Sequence, residues 1–552
     1  MTRMLPLASA IWLIAFFNAA PGAQQSRPVA AIAHPESLFT PSENCVACHN
    51  VLTTPGGEDV SIGATWRSTM MANSGRDPYW QASVRRETID HPARADDIQA
   101  ECAACHMPML QKVSKAAGRK TEVFAQLRIG RKDDSELHKL AADGVSCTVC
   151  HQISNEGLGT RENFNANFTM RPTPADGSRV IFGPFQIDAG RKTIMRSVTG
   201  FQQMQATHIQ QSELCATCHT LYTEVRTPAG QVVGSFPEQM NFQEWQHSSY
   251  SEGPDAQACQ SCHMPEVSEK TRISSVLGDY REGLHRHLFV GGNAFVVRML
   301  NRYREELGVT ALPSELEATA KATVRQLQEE TAAVSIARTE LAGGRLNVDV
   351  DVRNLAGHKF PTGYPARRTW LHVTVRDGDG RPVFESGAVS ADGSIAGNDN
   401  DADPLKYEPH YDEITSADQV QIYEPILGDA GNRPTTGLLF ATHYLKDNRL
   451  LPRGFDKATA DKDIGVYGDA ARDPNFTGDG DRVRYSVDVP PGGGPFLVGV
   501  ELLYQPIGFR WAHNLENYDA PEPQRFVNYY NAAASTSSVV VAKAVVTVVT
   551  QR

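Results

Sequence analysis

The chain of 552 residues lacks several features that would assign it to a common functional class. It has no excess of basic residues, and its formal charge of −11 argues against a nucleic-acid binder. Its longest N-terminal apolar run, from about Leu5 to Phe17, is too short for a comfortable membrane span. No cysteine lies near the end of that run, which argues against a lipoprotein anchor. A further Val-rich segment at 537–549 is interrupted by Lys543 and is typical of a strand.

The N-terminus has the pattern of a secretory signal peptide. One arginine precedes the apolar run, and small residues follow it at Ala19, Ala20, Gly22 and Ala23. We predict that residues 1–24 are removed, with a retained N-terminal anchor as the alternative. The mature chain is then periplasmic or extracellular and is not an integral membrane protein.

No cysteine stands alone, because the ten cysteines form five Cys-x-x-Cys pairs, each followed directly by histidine. A Cys-x-x-Cys alone is also typical of a redox dithiol or of half a zinc site, but neither requires the histidine. Covalent haem c does require it, since two thiols join the macrocycle and the histidine is the proximal ligand of the iron. The first to fifth motifs are Cys45, Cys48 and His49; Cys102, Cys105 and His106; Cys147, Cys150 and His151; Cys215, Cys218 and His219; and Cys259, Cys262 and His263.

The segment that carries the motifs has too few apolar side chains in periodic arrangement to form an ordinary hydrophobic core. Residues 25–290 are rich in Gly, Pro, Ser, Thr and Asn and contain few long apolar periodic segments. Five buried macrocycles would supply the missing apolar area. We therefore predict a pentahaem domain at 25–310, mostly irregular and α-helical, with five covalent haem c groups as its core.

The sixth ligands of the irons decide whether the haems transfer electrons or react with a substrate. An iron with two strong axial ligands transfers electrons, whereas an iron with an open position carries out chemistry. Histidines beside haem-bound segments or in Gly- and Pro-bounded loops are the best candidates, with His285 as a substitute for His287. The first motif is followed by methionines but no histidine, so a thioether ligand is expected there. The candidate set is Met71, His208, His247, His287 and His358, each weighed against a packing or surface role.

With these motifs the chain resembles the multihaem cytochrome c superfamily, and in particular exported multihaem cytochromes in which a haem domain precedes a β-rich domain. Trp66, Thr69, Met71 and Ala72 are similar to the W-x-x-S-x-H-A element of small tetrahaem cytochromes from nitrifying bacteria, with methionine in place of the distal histidine. HxFxGGN at His287 and GHKxPTG at His358 are similar to recurring segments of multihaem cytochromes. The resemblance covers roughly residues 40–420 and implies electron transfer.

The same comparison of motifs separates this chain from two enzyme families. Pentahaem nitrite reductases bind their catalytic haem through Cys-x-x-Cys-Lys, which does not occur here. Hydroxylamine oxidoreductases carry more haem motifs than this chain contains. Neither activity follows from the motifs.

The last third of the sequence changes to alternating strand patterns. A capping box from Ser314 to Glu317 begins a helix that we expect to bridge two domains, at 311–335. Alternating apolar segments at 345–354, 368–377, 483–489, 496–505 and 537–549 then predict a β-sandwich-like domain at 336–552. The predicted fold class is α+β in two domains.

Two acidic loops of this last third place carboxylates at alternate positions, a pattern that suits calcium. Such residues are also common in turns, and neither loop matches an EF-hand. The candidate calcium ligands are Asp399, Asp401 and Asp403. His410 and His443 are expected to be hydrogen-bonded structural residues, with a haem contact as the alternative.

The favoured function is electron transfer through five low-spin haems outside the cytoplasm, with no catalytic residue assigned. Its partners would be redox proteins or extracellular acceptors, and a homo-oligomer or filament is a further candidate. The alternative is an oxidoreductase in which one iron, most simply that of the first motif, binds a small nitrogen or oxygen compound. Arg67, Arg85 and Arg86 would then stabilise an anion there, unless they are ordinary solvated arginines.

Overall fold

The computed structural model describes residues 38–127, 135–171, 179–227 and 229–549. The predicted signal peptide at 1–24 lies outside these residues. Within the described ranges, no helix combines the length and apolar character needed to cross a bilayer.

The helices are short, as expected from the many Gly, Pro and Asn residues of the first half of the chain. Each motif lies within a helix or begins in one, and a helical turn places the two cysteines, three residues apart, on one face. The helices are α1 Glu43–Val46, α2 Ile62–Trp66, α3 Pro78–Asp90, α4 Ala95–His106, α5 Pro108–Ala116, α6 Val123–Gln126, α7 Glu136–Ala142, α8 Cys147–Cys150, α9 Ala189–Thr199, α10 Ser212–His219, α11 Asn241–Gln246, α12 Cys259–His263, α13 Ala294–Arg302, α14 Pro313–Gln326, α15 Asp399–Ala402, α16 Phe509–His513 and α17 Pro521–Asn531.

The longer strands lie in the second half of the chain, where β-branched residues alternate with polar ones. The strands are β1 Arg179–Gly183, β2 Phe201–Gln205, β3 Leu221–Arg226, β4 Val232–Gln239, β5 Thr271–Arg272, β6 Tyr280–Arg281, β7 Ala332–Ala342, β8 Arg345–Asn354, β9 Arg368–Arg376, β10 Pro382–Ser386, β11 Glu413–Ile414, β12 Ile422–Tyr423, β13 Pro425–Gly428, β14 Pro434–Thr435, β15 His443–Asp447, β16 Asp481–Asp488, β17 Phe496–Gln505 and β18 Val539–Val548.

Two sheets of the second half share one apolar cluster. The first has the strand order β11-β16-β8-β7 and the second β10-β9-β17-β18, with β12 also paired to β9. Alternate residues of β8, β9, β16 and β17 are almost fully buried and meet in the same cluster. The α+β fold class expected from the sequence is confirmed.

The C-terminal part of the chain returns to the first third. Helix α17 packs on α3, and Phe526 shares an apolar cluster with Tyr79, Phe295 and Leu316. The bridging position of α14 and the domain limits at 310 and 336 remain predictions. What the structure adds is that residues after β17 pack against the region that carries the motifs.

Candidate haem sites

The five motifs line one continuous cavity of about 1270 Å³. All five motif histidines and all the motif cysteines except Cys48 contribute to its wall. Much of the remaining lining is apolar or aromatic, including Trp66, Phe182 and Phe242. A single apolar space that joins all five motifs is what covalently held macrocycles packed against one another require.

The cysteines do not form the alternatives weighed from the sequence. All ten thiols are free, so the pairs are not disulfides. Among the described residues the one group of histidine and acidic side chains close enough to hold a metal ion is His410, Asp412 and Asp473, which includes no motif residue. The motifs therefore do not assemble zinc sites, and the residues present fit haem c.

Four of the five motif histidines have the tautomer that an iron ligand needs. The Nδ1 atoms of His49, His151 and His263 lie 2.6, 2.6 and 2.5 Å from backbone carbonyl oxygens, and that of His106 lies 3.4 Å from the carbonyl oxygen of Ser74. An Nδ1–H that donates to a carbonyl leaves Nε2 unprotonated and oriented for a metal. Burial lowers the pKa of His106 to about 4, which keeps this imidazole neutral.

Two motif histidines face a second histidine almost in parallel. The ring centres of His151 and His287 are 6.5 Å apart with an interplanar angle of 20°, and those of His263 and His358 are 6.2 Å apart with 14°. An imidazole nitrogen lies about 2 Å from a metal, so two rings on opposite sides of one ion have centres roughly 6 Å apart. Both spacings fit one iron between the rings.

The two facing histidines carry the same hydrogen-bond pattern as the proximal ones. Nδ1 of His287 lies 3.0 Å from the carbonyl oxygen of His285, and Nδ1 of His358 lies 2.9 Å from that of Lys359. His285 has this pattern as well, with its Nδ1 2.6 Å from the carbonyl oxygen of Met264, and it also lines the cavity. In all three side chains Nε2 remains available.

His208 and His247 have the opposite pattern. Nε2 of His208 lies 2.9 Å from the carbonyl oxygen of Ile153, and Nε2 of His247 lies 2.9 Å from that of Asp456. A nitrogen that donates a proton to a carbonyl has no lone pair for iron. In this structure the usual ligand atom of both histidines is therefore engaged elsewhere.

Met71 lines the cavity but packs beside motifs other than the first. It contacts an apolar cluster around Phe39 and Val149, against which Cys105, Cys150 and Cys218 also pack. These cysteines belong to the second, third and fourth motifs.

Contacts between thiols give the motifs an order in space. The neighbouring thiol of Cys45 raises the pKa of Cys147, that of Cys218 raises the pKa of Cys105, and that of Cys259 raises the pKa of Cys215. Burial raises the pKa of the Cys150 thiol, and the charge of Cys218 raises it further. The first motif is thus next to the third, the third to the fourth, and the fourth also to the second and the fifth.

A buried ion-pair network holds the loop that presents His358. Nζ of Lys359 lies 2.8 Å from Oδ2 of Asp447, and Arg449 bridges Asp447 and Glu244 at 2.8 and 2.9 Å. Glu244 in turn accepts a hydrogen bond of 2.5 Å from the hydroxyl of Thr362, four residues after His358. Burial alone would raise the pKa of Asp447, but the charges of Arg449 and Lys359 hold it at about 2.

Several other candidate residues have structural roles. Arg67 pairs with Glu315, and Arg85 pairs with Glu522 at 2.8 Å. Arg86 donates to the hydroxyl of Thr436 at 2.7 Å. Among the described residues, none of the three forms a hydrogen bond or ion pair with the first motif.

The candidate calcium ligands are used within the protein. Asp401 is buried and accepts two hydrogen bonds from Arg368, at 2.7 and 2.8 Å. Oδ1 of Asp403 accepts from the backbone of Leu405, and Asp399 begins helix α15. Among the described residues these three carboxylates form no group close enough for one ion, so the alternate spacing in the sequence reflects a turn and an ion pair.

His410 is a buried structural histidine, the interpretation favoured from the sequence. Its Nδ1 accepts from the side-chain amides of Gln421 and Asn448 at 2.9 and 3.1 Å, so Nε2 carries the proton and donates to Asp473 at 3.1 Å. The amide of Asn448 is fixed because its oxygen accepts from the backbone of Glu424. A metal at this Nε2 would compete with that proton.

No protein-family model matches the chain, and no curated protein matches it. Among solved structures it is similar to the crystal structure of a penta-haem cytochrome c552 from Thermochromatium tepidum, with 17% sequence identity and a TM-score of 0.49. The match covers 93% of this chain and 99% of that chain. At this TM-score it carries no argument, and the function is inferred from the residues of this chain.

Proposed function

We propose that the chain is an exported pentahaem c-type cytochrome that transfers electrons. The observation that carries the proposal is the single cavity into which all five Cys-x-x-Cys-His motifs project. Each bound haem supplies a one-electron couple at its iron. The protein contributes the thioether anchors, the proximal histidines and a largely apolar wall.

The proposed sixth ligands are best supported for two motifs. His287 serves the third motif and His358 the fifth, on the strength of the ring spacings and the free Nε2 atoms. His208 and His247 are not carried forward, because their Nε2 atoms bind carbonyl groups. Met71 stays the prediction for the first motif, and His285 stays the substitute for His287.

The order of thiol contacts supports a branched electron path. We expect electrons to pass from the first haem to the third and from the third to the fourth. From the fourth haem they pass to either the second or the fifth. Four exposed apolar residues follow the first motif or a segment bonded to it: Val51 comes two residues after His49, and Val276, Leu277 and Tyr280 follow Ser275, whose backbone N–H donates to the carbonyl of Cys48. We expect exchange with a redox protein at that end. Leu277→Asp should then slow reduction by a protein donor and leave reduction by dithionite unchanged.

The β-rich second half is proposed to be a sandwich-like domain that covers one side of the haem array and supplies the ligand His358. Calcium is not part of the proposal, since its candidate ligands are otherwise engaged. A periplasmic or extracellular location follows from haem c attachment in an exported chain and rests on the predicted signal peptide.

Mass spectrometry of the purified protein tests the proposal directly. The mature chain should carry five haem masses, one bound at each motif after proteolysis, and the ferric protein should show bis-histidine low-spin signals by electron paramagnetic resonance. Fewer than five attached haems, or zinc in place of iron, would refute it.

A further inference from the structure

The first motif is held by a segment that continues to the protein surface. Nδ1 of His49 lies 2.6 Å from the carbonyl oxygen of Ile273. The backbone N–H and the hydroxyl of Ser275 both donate to the carbonyl oxygen of Cys48, at 2.8 and 3.0 Å. Residues 273–275 therefore bind both the proximal histidine and the backbone of an anchoring cysteine of the proposed first haem.

These residues belong to a short hairpin whose loop carries exposed apolar side chains. Strands β5 and β6 pair antiparallel, and the loop between them spans 273–279. Val276, Leu277 and Tyr280 are 48, 63 and 54% exposed. An exposed apolar surface thus lies within a few residues of the groups that hold the first motif.

Helix α9 contacts the same hairpin. Nε of Arg191 donates to the carbonyl oxygen of Leu277 at 2.6 Å, and its Nη2 lies 2.6 Å from Oδ1 of Asp279. Ile194 is three residues after Arg191, on the same face of α9, and is 41% exposed. The helix therefore extends the exposed surface of the hairpin.

Arginine side chains flank the apolar residues of the hairpin. Arg272 and Tyr280 are paired residues of β5 and β6, and the guanidinium of Arg272 lies 4.8 Å from the centre of the Tyr280 ring. Nη2 of Arg281 lies 3.6 Å from Oδ2 of Asp279, the carboxylate that also binds Arg191. Three arginines are therefore placed around one exposed loop.

Positive charge is in excess on this surface, although the whole chain has a formal charge of −11. The segments 188–196 and 270–282 contain twice as many basic residues as carboxylates. The basic residues are Arg191, Lys192, Arg196, Lys270, Arg272 and Arg281, and the carboxylates are Asp188, Asp279 and Glu282. Each carboxylate is already paired with an arginine or lysine of the same surface. Lys192 and Arg272 form no ion pair among the described residues, so their charge is available to a partner.

We propose that the β5–β6 hairpin and helix α9 form the docking surface for an acidic redox protein that donates electrons at the first motif. The inference rests on the proposed function and adds the charge of the partner and the residues that meet it. One electron leaves the reduced cofactor of the partner and reduces the ferric iron held by His49, and no bond is formed or broken. Opposite charge speeds the encounter, and the apolar side chains supply the contact that excludes water.

The surface also lies where the proposed electron path needs an entry. In the order of the thiols the first motif adjoins only the third, so it is one end of the path. The hairpin binds His49 and Cys48 directly, and a partner seated on it is separated from the first motif by this one segment of chain.

Reduced flavodoxin, a small acidic redox protein, is the probe for this surface. Its rate of electron transfer to the oxidised holoprotein, followed by stopped-flow absorbance, should fall about tenfold from low to physiological ionic strength, because salt screens the attraction. Lys192→Glu/Arg272→Glu should lower the low-salt rate by about tenfold or more and remove most of the salt dependence.

The matched control is Arg353→Glu/Lys406→Glu. It makes the same change in net charge at two exposed residues of the β-rich half that form no ion pair among the described residues. Its rate should stay within about twofold of the wild type, because the reversed charges lie outside the docking surface. Equal losses in the two double variants would overturn the location of the surface.

The outcomes separate this inference from the proposed function. A flavodoxin rate that rises with salt would overturn the acidic partner, as would electron transfer to mitochondrial cytochrome c, a basic protein, that slows with salt and is lost in the control only. All proteins should carry five haems and accept five electrons from dithionite. Failure of the wild type in that test would refute the proposed function itself. If Lys192→Glu/Arg272→Glu does not load five haems, Arg272→Gln replaces it and should lower the rate severalfold.

Discussion

The two halves of this molecule are stabilised in different ways. In the second half, alternate side chains of β8, β9, β16 and β17 fill a continuous core with one another. In the first half, short helices and loops surround a cavity of about 1270 Å³ whose wall carries the motifs. The β region is thus complete in its own side chains, whereas the first region needs its proposed cofactors as a core. The comparison predicts which substitutions act on the whole protein and which act locally.

Removal of the fourth motif's anchors should have the largest effect. In Cys215→Ala/Cys218→Ala the haem that adjoins the second, third and fifth motifs is lost, and we expect no folded, exported protein. Cys259→Ala/Cys262→Ala is the matched control, since the fifth motif adjoins only the fourth. Haem content per exported chain measures both. Equal haem loss in the two variants would contradict the central position of the fourth motif.

The second-largest effect is expected from a substitution in the ion-pair network that holds the His358 loop. Lys359→Met leaves the buried Asp447 with one cation fewer, and breaking a buried pair costs roughly 3–5 kcal/mol. Because the loop also presents His358, one low-spin signal should change as well. Arg482→Ala, which breaks an exposed pair with Asp351, should cost at most about 1 kcal/mol and leave all signals unchanged. A stability loss in Lys359→Met with no spectral change would show that the ion-pair network does not position His358 as an iron ligand.

A core substitution in the β region should lower stability without a spectral effect. Leu371 in β9 is fully buried, and Leu371→Ala should reduce the free energy of unfolding by about 2–5 kcal/mol. Denaturant unfolding followed by tryptophan fluorescence gives the value, and the haem spectrum of the folded protein is the control. Altered iron ligation in this variant would show that the two halves are coupled more closely than their contacts indicate.

The smallest effect is a pH dependence at Glu238. Burial raises the pKa of its carboxyl from 4.5 to about 7 in the folded protein. A raised pKa adds stability that is complete below the ordinary value and is lost as the pH rises through the folded value. The wild type should therefore lose stability between about pH 5 and pH 8, and Glu238→Gln should lose less. Identical pH profiles of the unfolding free energy would contradict this assignment.

Five strands of the β region, β8, β9, β16, β17 and β18, were predictable almost to the residue. The segments 345–354 and 496–505 coincide with β8 and β17, because strict alternation of buried and polar residues determines both the strand and its inner face. β7, Ala332–Ala342, and the shorter strands β10 to β15 were missed. The residues of β7 are largely half-buried or exposed, so its pattern is weak, and part of it was assigned to the bridging helix.

Helix ends were less predictable. Helix α13 ends at Arg302, and turns lead from there to Gly308, whose φ is 65°. Helix α14 begins at Pro313, and Glu315 caps it by accepting from the backbone of Leu312 at 2.9 Å, so the capping box expected at Ser314 is shifted. Several acidic residues near one helix start compete for the same role, and only the local backbone selects among them.

The motifs could be found from the sequence because covalent attachment needs fixed spacing, whereas the distal residues have no such constraint. His287 and His358 lie far along the chain from the motif histidines that they face. Only the folded chain brings each of these pairs together.

The position of His358 sets an order of events during biogenesis. This histidine lies 95 residues after His263, which it faces, and its loop is held by Asp447 and Arg449 still further along the chain. If the chain is exported as proposed, with its N-terminus first, all five motifs leave the channel before the loop and its supports. Under the proposed ligation, the fifth haem stays incompletely coordinated until most of the β-rich half has been exported. A truncated chain would then carry all its haems covalently, but the iron of the fifth haem would lack its sixth ligand. Such an iron is reactive, so unfinished protein would differ chemically from the complete chain.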